Sequence, residues 1–287
     1  MFEFLSERDY PGLMKYWKNT ATLDHLVPEL LHTVDVEEAE IAVIGSKPID
    51  LSEMPNLKVI FKCGVGLDNI PFDEAEERGI KVVLPSKKTK GYVFDETANF
   101  AVHLILRMLY KDLGSVDNWI KKQRKFLGQK TVLVLGLGNI GRQVANKLNP
   151  LATVLTYDPI ENSEEELEGM FRKADAITLH IPLLDETRGF VNAEKLSWMK
   201  DGAALINTAR GPVVEEEALY EEIKRERIFA AFDVFWQEPY HGILREFHPY
   251  RFVMSPHVAS NCENFLTGLA SSLKAQIEES QNSHKTK

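Results

Sequence analysis

Three glycines in the middle of the chain have a spacing that suits phosphate binding. Gly136, Gly138 and Gly141 form the pattern G-x-G-x-x-G within LVLGLGNIGRQVA, residues 133–145. The pattern follows an apolar run and opens a segment with helical periodicity. Backbone N–H groups at the positive end of a helix would therefore face a pyrophosphate. A tight turn that merely requires glycine is the alternative interpretation.

A carboxylate follows these glycines at the separation that a dinucleotide site requires. The apolar run TVLTYD ends at Asp158, twenty residues after Gly138. A carboxylate at this place accepts hydrogen bonds from the 2′- and 3′-hydroxyls of a ribose. An aspartate that only caps the next loop would leave the spacing unexplained. No arginine follows in YDPIENS to receive a 2′-phosphate, so the pattern predicts NAD rather than NADP.

The composition is that of a folded protein, and the length favours two domains of ordinary size over one large domain. The chain has 287 residues, of which 44% are hydrophobic and 27% charged, and no repeat or low-complexity tract is visible. The net charge of −9 argues against a nucleic-acid partner, which requires a basic face. Two cysteines and the lack of a His/Cys cluster predict neither a disulfide framework nor a metal site. Because no apolar run reaches membrane-spanning length, we expect no membrane partner and a cytoplasmic location.

From Lys130 onward, short apolar runs alternate with segments of helical periodicity. This alternation is typical of repeated βα units around a parallel sheet. The strand candidates are residues 131–136, 152–158, 175–180, 202–208, 228–235 and 251–256. The helix candidates are residues 141–148, 163–174, 192–200 and 214–227, and Ser163 and Glu166 have the spacing of a capping box. We therefore predict an α/β fold with a doubly wound parallel sheet.

The first part of the chain shows a smaller series of the same kind. Its strand candidates are residues 40–45, 56–64 and 81–85, and its helix candidate is residues 71–79, closed by Gly79. Residues 95–113 are apolar on a helical stripe and are expected to cross between the halves. That stripe suits a two-fold dimer or a core equally well. A last helix candidate, residues 264–280, has no partner in the second series and is expected to return to the first.

Six motifs in a fixed order resemble those of one family. The chain is similar to the D-isomer-specific 2-hydroxyacid dehydrogenases, which include phosphoglycerate, glycerate and D-lactate dehydrogenases. The resemblance covers nearly the whole chain and rests on GVGLDNI (64–70), GLGNIG (136–141), LHIPL (179–183), INTARG (206–211), FDVFWQEP (232–239) and SPHVA (255–259). It implies two Rossmann or flavodoxin-like domains. An NAD-binding domain, residues 99–261, would be inserted into a discontinuous substrate domain, residues 1–98 and 262–287, which explains why the glycines lie mid-chain.

The resemblance also assigns roles in catalysis. Oxidation of a 2-hydroxy acid requires a group that binds the carboxylate, a base for the hydroxyl proton and a nicotinamide for the hydride. Arg210 would bind the substrate carboxylate and carbonyl oxygen through its planar guanidinium. His257 would be the acid/base, and Glu238 would orient its ring and favour its protonated form. Singly, each has an ordinary alternative as a surface or turn residue, and His241 and His248 are rivals for the histidine role.

Further residues are expected at the cofactor and the substrate. The resemblance places at NAD the residues Gly136, Gly138, Asn139, Ile140, Gly141, Asp158, His180, Pro182, Thr208 and Asp233. Asp233 would accept from the nicotinamide carboxamide, unless it is only a buried cap at a strand end. His180 is expected beside the cofactor as a loop histidine rather than as a second base. Val65 and Gly66 would present backbone N–H groups to the substrate carboxylate, unless GVG is a plain glycine turn.

The predicted function is an NAD-dependent interconversion of a small D-2-hydroxy acid and its 2-oxo acid by a homodimer. Phosphoglycerate, glycerate and hydroxypyruvate types are favoured, without an added regulatory domain after Lys287. A dinucleotide-sensing interaction protein of the corepressor kind is the alternative, and turnover of a 2-oxo acid would separate the two. Formate dehydrogenases typically have Gln where Glu238 stands. Lys87, Lys88, Thr89 and Lys90, in a predicted loop, form either ordinary basic surface or a patch that attracts a substrate phosphate.

Overall fold

The computed structural model describes residues 3–6, 31–32, 37, 39–158 and 162–285. The chain forms two compact units. One consists of Met1–Val93 with Asn261–Lys287, and the other of Phe94–Ser260. The first boundary falls inside a helix rather than in a linker, since residues 87–109 are one continuous helix.

The described residues form thirteen strands and seven α-helices. The strands are β1 (Glu3–Ser6), β2 (Leu31–His32), β3 (Ile41–Ile44), β4 (Val59–Lys62), β5 (Lys81–Val83), β6 (Gly114–Ser115), β7 (Ile120–Lys121), β8 (Thr131–Leu135), β9 (Thr153–Tyr157), β10 (Ala176–Leu179), β11 (Ala204–Asn207), β12 (Phe229–Phe232) and β13 (Phe252–Met254). The α-helices are α1 (Phe72–Glu77), α2 (Lys87–Leu109), α3 (Asn139–Leu148), α4 (Glu164–Lys173), α5 (Ala193–Trp198), α6 (Glu216–Lys224) and α7 (Glu263–Lys285). Every strand and helix candidate from the sequence corresponds to one of these elements.

The first unit is built on a parallel sheet with the order β2-β1-β3-β4-β5. This is the flavodoxin-like strand order. Side chains alternate between the faces, so Val43 and Phe61 pack on one side while Ile44 and Ile60 pack on the other. The core on the Phe61 side includes Phe265, Leu269, Ala270 and Leu273 of α7. The prediction that the last helix returns to the first half is confirmed.

The second unit contains a six-stranded parallel sheet with the order β13-β12-β11-β10-β8-β9. Hydrophobic cores cover both faces of the sheet, as a parallel sheet requires. After β8 the chain adds β9 on one side of it and later β10 on the other. The carboxyl end of β8, where the glycine pattern begins, is therefore the switch point at which open α/β sheets bind ligands. The predicted α/β, doubly wound fold is confirmed.

Two helix starts show how well local signals work. Ser163 and Glu166 cap α4 reciprocally, because Ser163 N donates to Glu166 Oε2 at 2.9 Å and Glu166 N to Ser163 Oγ at 3.4 Å. The predicted capping box is confirmed.

The predicted loop at Lys87, Lys88, Thr89 and Lys90 is wrong, because these residues form the first turn of α2. Ser86 begins that helix, since its Oγ accepts from Thr89 N at 3.2 Å while the Thr89 side chain is buried.

The apolar stripe of α2 belongs to the core. Ala98, Ala101, Ile105 and Met108 are buried with residues of the six-stranded sheet such as Val132. Of the two interpretations of that stripe, dimer face or core, the structure therefore supports the core.

A short antiparallel hairpin, β6 and β7, follows α2 and was not predicted. Gly114 has φ +117°, and a Cβ there would lie 2.0 Å from Ile120 O, so the hairpin requires a glycine.

Within the described part of the chain, no helix combines the length and apolarity needed to cross a bilayer. The same residues contain no group of three or more His, Cys, Asp or Glu side chains placed to hold a metal ion.

Candidate active site

The glycine loop after β8 is packed too closely for any side chain at two of its positions. A Cβ at Gly141 would lie 1.9 Å from Gly136 O. Gly136 has φ +97°, and a Cβ there would lie 2.6 Å from His180 O. At Gly138, by contrast, nothing lies within 4 Å of a Cβ position. The outer glycines thus allow the loop to pack, whereas the middle one leaves space in front of the helix.

This space has the chemistry of a dinucleotide site. Helix α3 begins after Gly138, which has no side chain to cap the first N–H groups, so these groups can bind a phosphate. Asn139 and Ile140 form its first turn. The carboxylate of Asp158, at the end of β9, accepts from Leu137 N at 3.0 Å and is thereby fixed beside the loop. These residues fit the pyrophosphate and ribose of NAD.

Thr208 supplies a further observation in favour of a ligand. Its hydroxyl is buried and has no hydrogen-bond partner among the described residues. Buried hydroxyls are almost always hydrogen-bonded in complete structures. Because Thr208 directly follows β11 at the carboxyl edge of the sheet, a bound cofactor is a suitable partner.

His257 and Glu238 form a direct pair. His257 Nδ1 lies 2.8 Å from Glu238 Oε2, and both side chains are largely buried. Since a carboxylate only accepts, Nδ1 carries the proton and donates. The other carboxylate oxygen, Oε1, accepts from Phe235 N at 3.0 Å. Glu238 is therefore held by the backbone, the ring of His257 is held by Glu238, and Nε2 is left as the ring atom for proton transfer.

Asp233 anchors the loop that carries His257. One of its carboxylate oxygens accepts from Ser255 Oγ at 2.6 Å and Val258 N at 3.0 Å, and the other from Ala259 N at 2.8 Å. His257, between these partners, has a left-handed φ of 53° that a histidine rarely adopts without support. The carboxylate is fully buried, and this burial raises its pKa although the hydrogen bonds oppose the rise. The contact with the nicotinamide carboxamide stays a prediction.

Arg210 lies on a turn that Asn207 shapes. The Asn207 side chain donates to Arg210 O at 2.8 Å and accepts from Ala209 N at 2.9 Å. The next residue, Gly211, packs against the backbone of Phe235, because a Cβ there would lie only 2.1 Å from Phe235 C. The turn with Arg210 and the segment that leads to Glu238 are thus packed directly on each other. Arg210 itself is partly buried.

The remaining histidines have structural surroundings. His180 Nε2 lies 3.0 Å from Thr178 Oγ1, and burial lowers the pKa of its ring to about 3. Its ring is therefore neutral at physiological pH and suits a packing role behind the glycine loop. His241 Nδ1 pairs with Arg245, and His248 Nδ1 accepts from Met254 N at 3.2 Å. Neither of these rivals contacts Glu238, whereas His257 does.

Two residues contribute to the site without being predicted to do so. Ser255 begins the motif SPHVA, and only the structure shows that its hydroxyl donates to Asp233. Asn207 lies within INTARG, where an asparagine at the end of a buried strand is a recognisable signal for a side chain that shapes the next turn. Pro182 lies in the loop after β10, two residues beyond His180.

The predicted substrate loop belongs to the first unit. Gly64 has φ +107°, and nothing lies within 4 Å of a Cβ position there. Val65 and Gly66 follow at the carboxyl end of β4 and are partly buried. Val65 packs against the core that contains Phe61 and α7. Backbone N–H groups at such a strand end are placed as ligand-binding groups are in open α/β sheets.

Comparison with known proteins decides the family. Residues 107–259 match the model of the D-isomer specific 2-hydroxyacid dehydrogenase, NAD binding domain. The chain belongs to this family. It is 36% identical over 247 residues to a hydroxypyruvate reductase of Thermotoga maritima, covering 79% of each protein. It is also 34% identical over 255 residues to a D-3-phosphoglycerate dehydrogenase of Archaeoglobus fulgidus, covering 81% of this chain and 47% of the relative.

A solved structure shows the same fold. The D-lactate dehydrogenase of Aquifex aeolicus, complexed with NAD and lactic acid, superposes with a TM-score of 0.77 at 23% identity and covers 98% of this chain. The predicted family and the predicted cofactor, NAD, are confirmed. The protein is an NAD-dependent 2-hydroxyacid dehydrogenase, and the corepressor-like alternative is not favoured.

Proposed function

We propose that the protein reduces a small 2-oxo acid of the hydroxypyruvate type to its D-2-hydroxy acid, with His257 as the proton donor. The observation that carries this proposal is the His257–Glu238 pair, in which Nδ1 is engaged at 2.8 Å and Nε2 remains for the substrate. A histidine oriented by a carboxylate is the arrangement expected of an acid/base that must reverse its role in the opposite direction.

The chain's own residues perform four tasks in this reaction. The guanidinium of Arg210 binds the carboxylate and carbonyl oxygen of the substrate, which polarises the carbonyl. His257 donates the proton on Nε2 to that oxygen as it gains negative charge. Glu238 stabilises the imidazolium before transfer and keeps the ring oriented. Val65 and Gly66 bind the carboxylate with backbone N–H groups. When bound, the reduced nicotinamide supplies the hydride that adds to the substrate C2.

The choice of substrate class rests on similarity to relatives. This chain is 36% identical to a hydroxypyruvate reductase and 34% identical to a phosphoglycerate dehydrogenase. A phosphorylated substrate stays a second candidate because Lys87 and Lys88 are exposed at the start of α2. Replacing Lys87, Lys88 and Lys90 by Gln tests it. A selective rise in KM for phosphohydroxypyruvate at low salt would support that candidate, because a surface charge effect is screened by salt.

The decisive experiment measures NADH oxidation with hydroxypyruvate and a panel of other 2-oxo acids. We expect His257→Ala to lower kcat by about 10² to 10⁴-fold, the usual range for a lost acid/base. The affinity for NADH, measured by fluorescence titration, should stay within about twofold, because the glycine loop and Asp158, which would hold the pyrophosphate and ribose, follow β8 and β9. His248→Ala is the matched control and should keep full activity. Loss of activity in His248→Ala with a fully active His257→Ala would refute the assignment.

We further propose a homodimer that docks through the hairpin. Five large apolar side chains in and around it are 58–81% exposed, namely Leu113, Val116, Trp119, Ile120 and Phe126. A cluster of this kind marks an interaction surface. Residues 111–126 carry five Lys or Arg against two Asp, in a chain with net charge −9. Because two basic hairpins repel each other, we propose that each hairpin packs on an acidic part of the second copy, whose net charge is −9. Sedimentation of Trp119→Ser/Ile120→Ser should give the monomer mass, and an unchanged dimer mass would contradict the docking site.

The other partners and the location follow from composition. We propose that the protein works in the cytoplasm without nucleic-acid or membrane partners. The net charge of −9 opposes binding to phosphate-rich surfaces. Two cysteines, Cys63 and Cys262, are typical of a protein from a reducing compartment. Fractionation of the native host would test the location.

A further inference from the structure

Lys62 is a buried cation that the reaction described above does not use. It is the last residue of β4 and only 2% exposed. By the alternation of the strand it faces the same side as Ile60, where the core contains Ile44 and Ile70. An ammonium group in apolar surroundings is unfavourable unless hydrogen bonds compensate the lost water. A methionine would fill this place without that cost.

The compensating partners form a small network with Asn69. Lys62 Nζ donates to Asn69 Oδ1 at 2.7 Å and also to Gly45 O. Asn69, which is 7% exposed, donates through Nδ2 to Lys47 O at 2.6 Å and to Gly45 O at 3.1 Å. Because an ammonium only donates, the amide oxygen must face Lys62 and the amide nitrogen must face the two carbonyls. The network therefore permits one orientation of Asn69.

This network ties both ends of the loop 64–66 to the neighbouring strand. Lys62 precedes the loop, Asn69 follows it, and both donate to the carbonyl of Gly45, directly after β3. Within the loop, Val65 packs against the core that contains Phe61, whereas nothing lies within 4 Å of a Cβ position at Gly64. Packing holds the side chain of Val65, and the network holds the backbone at both ends of the loop.

We propose that Lys62 and Asn69 are positioning residues that hold the loop 64–66 so that the N–H groups of Val65 and Gly66 bind the substrate carboxylate. This inference rests on the proposed function. Lys62 is too deeply buried to touch the substrate and acts through the loop. Its charge is fixed next to the loop and adds to the attraction of the backbone N–H groups for an anion.

The kinetic test separates substrate binding from chemistry. We expect Lys62→Met and Asn69→Ala to raise KM for the 2-oxo acid about tenfold or more, with kcat within about threefold of the wild type. The dissociation constant for NADH should not change. Lys62→Gln keeps a neutral donor for Asn69 and should recover part of the lost affinity. The matched control is Ile60→Ala, which weakens the same core face without touching the network. Its KM is compared with the KM of the network variants whose Tm is lowered by the same amount.

Each outcome decides the inference. An unchanged KM in Lys62→Met and Asn69→Ala, or an equal rise in Ile60→Ala, would overturn it. If Lys62→Met does not fold, Lys62→Gln and Asn69→Ala carry the test. If the wild type reduces no 2-oxo acid, the proposed function fails. Hydrogen exchange of the peptide covering residues 63–68 then decides the positioning role: faster exchange in Asn69→Ala than in Ile60→Ala supports it, and equal exchange refutes it.

Discussion

Two glycine loops follow parallel strands in this protein, one in each compact unit, and close packing excludes a side chain at Gly136 and Gly141 of the first but not at Gly64 of the second. After β8, Gly141 is required for space, because a Cβ would lie 1.9 Å from Gly136 O. After β4, Gly64 is required for conformation, because its φ is +107° while nothing lies within 4 Å of a Cβ. The first loop is fixed by close packing, and the second depends on the polar network of Lys62 and Asn69 at its ends.

A glycine in a loop motif can therefore meet either of two physical requirements, room for close packing or a positive φ. A loop that is held by close packing keeps one conformation before and after its ligand binds. Such a loop suits a ligand that must bind in the same place at every turnover. A loop held at its ends by hydrogen bonds is sensitive to substitution of the residues that make those bonds, even where these residues do not touch the ligand. Substitutions that add a single methyl group distinguish the two cases.

The largest effect is expected for Gly141→Ala. The added Cβ must displace the backbone of Gly136, so we expect the free energy of unfolding to fall by about 3 kcal/mol or more, with loss of measurable NADH binding. Urea denaturation and fluorescence titration measure both. Gly138→Ala is the control, because its Cβ meets nothing within 4 Å. Gly138→Ala should keep wild-type stability yet weaken NADH binding. Normal NADH binding by Gly141→Ala would show that close packing does not fix the loop after β8.

Cofactor choice should depend on the packed loop alone. Asp158 is fixed next to it by Leu137 N, where a carboxylate accepts from a ribose hydroxyl and repels a 2′-phosphate. We expect kcat/KM with NADH to exceed that with NADPH by about tenfold to several hundredfold, corresponding to about 1 to 4 kcal/mol of repulsion. Asp158→Ser should reduce this ratio, and Gly64→Ala should leave it unchanged. Equal efficiency with both cofactors in the wild type would contradict this role of Asp158.

Gly64→Ala should have a smaller and different effect. Alanine at a positive φ costs about 1 to 2 kcal/mol of stability even where there is room for its side chain. We expect KM for the 2-oxo acid to rise while NADH affinity stays constant, because the strain is confined to the first unit. Steady-state kinetics with NADH titration measure this. A loss of NADH affinity as large as that of Gly141→Ala would show that the two loops are not independent.

The smallest effect concerns pH and the histidine behind the packed loop. The pKa of His180 is lowered by burial from its ordinary 6.5 to about 3, so the unfolded chain takes up a proton that the folded chain does not. This stabilisation is complete above pH 6.5 and is lost as the pH falls towards 3. Between pH 7 and pH 5 the wild type should lose about 1 to 2 kcal/mol more than His180→Gln. Urea denaturation at each pH measures the free energy of unfolding. An equal fall with pH in both proteins would disprove the burial of this ring.

Local signals were sufficient where a short stretch determines its own structure. The capping box of α4 was identified from Ser163 and Glu166 because both partners lie within one turn. The six strands of the second unit were identified because parallel strands buried on both faces are continuous apolar runs. The start of α2 was missed, since a lysine-rich turn resembles a loop until Thr89 is seen to be buried against Gly268. The hairpin was missed because its strands have two residues each.

The sequence by itself determined the α/β fold class, the family, the cofactor and the identity of the candidate residues Arg210, Glu238 and His257. These follow from motifs, whose residue types and order are visible along the chain. Only the tertiary structure decided that Glu238 pairs with His257 rather than His241 or His248, and that Asp233 and Ser255 hold the loop around it. These contacts depend on which strand ends become neighbours in the sheet. The paired residues lie 19 to 25 positions apart in the sequence, and their residue types do not indicate that they will meet.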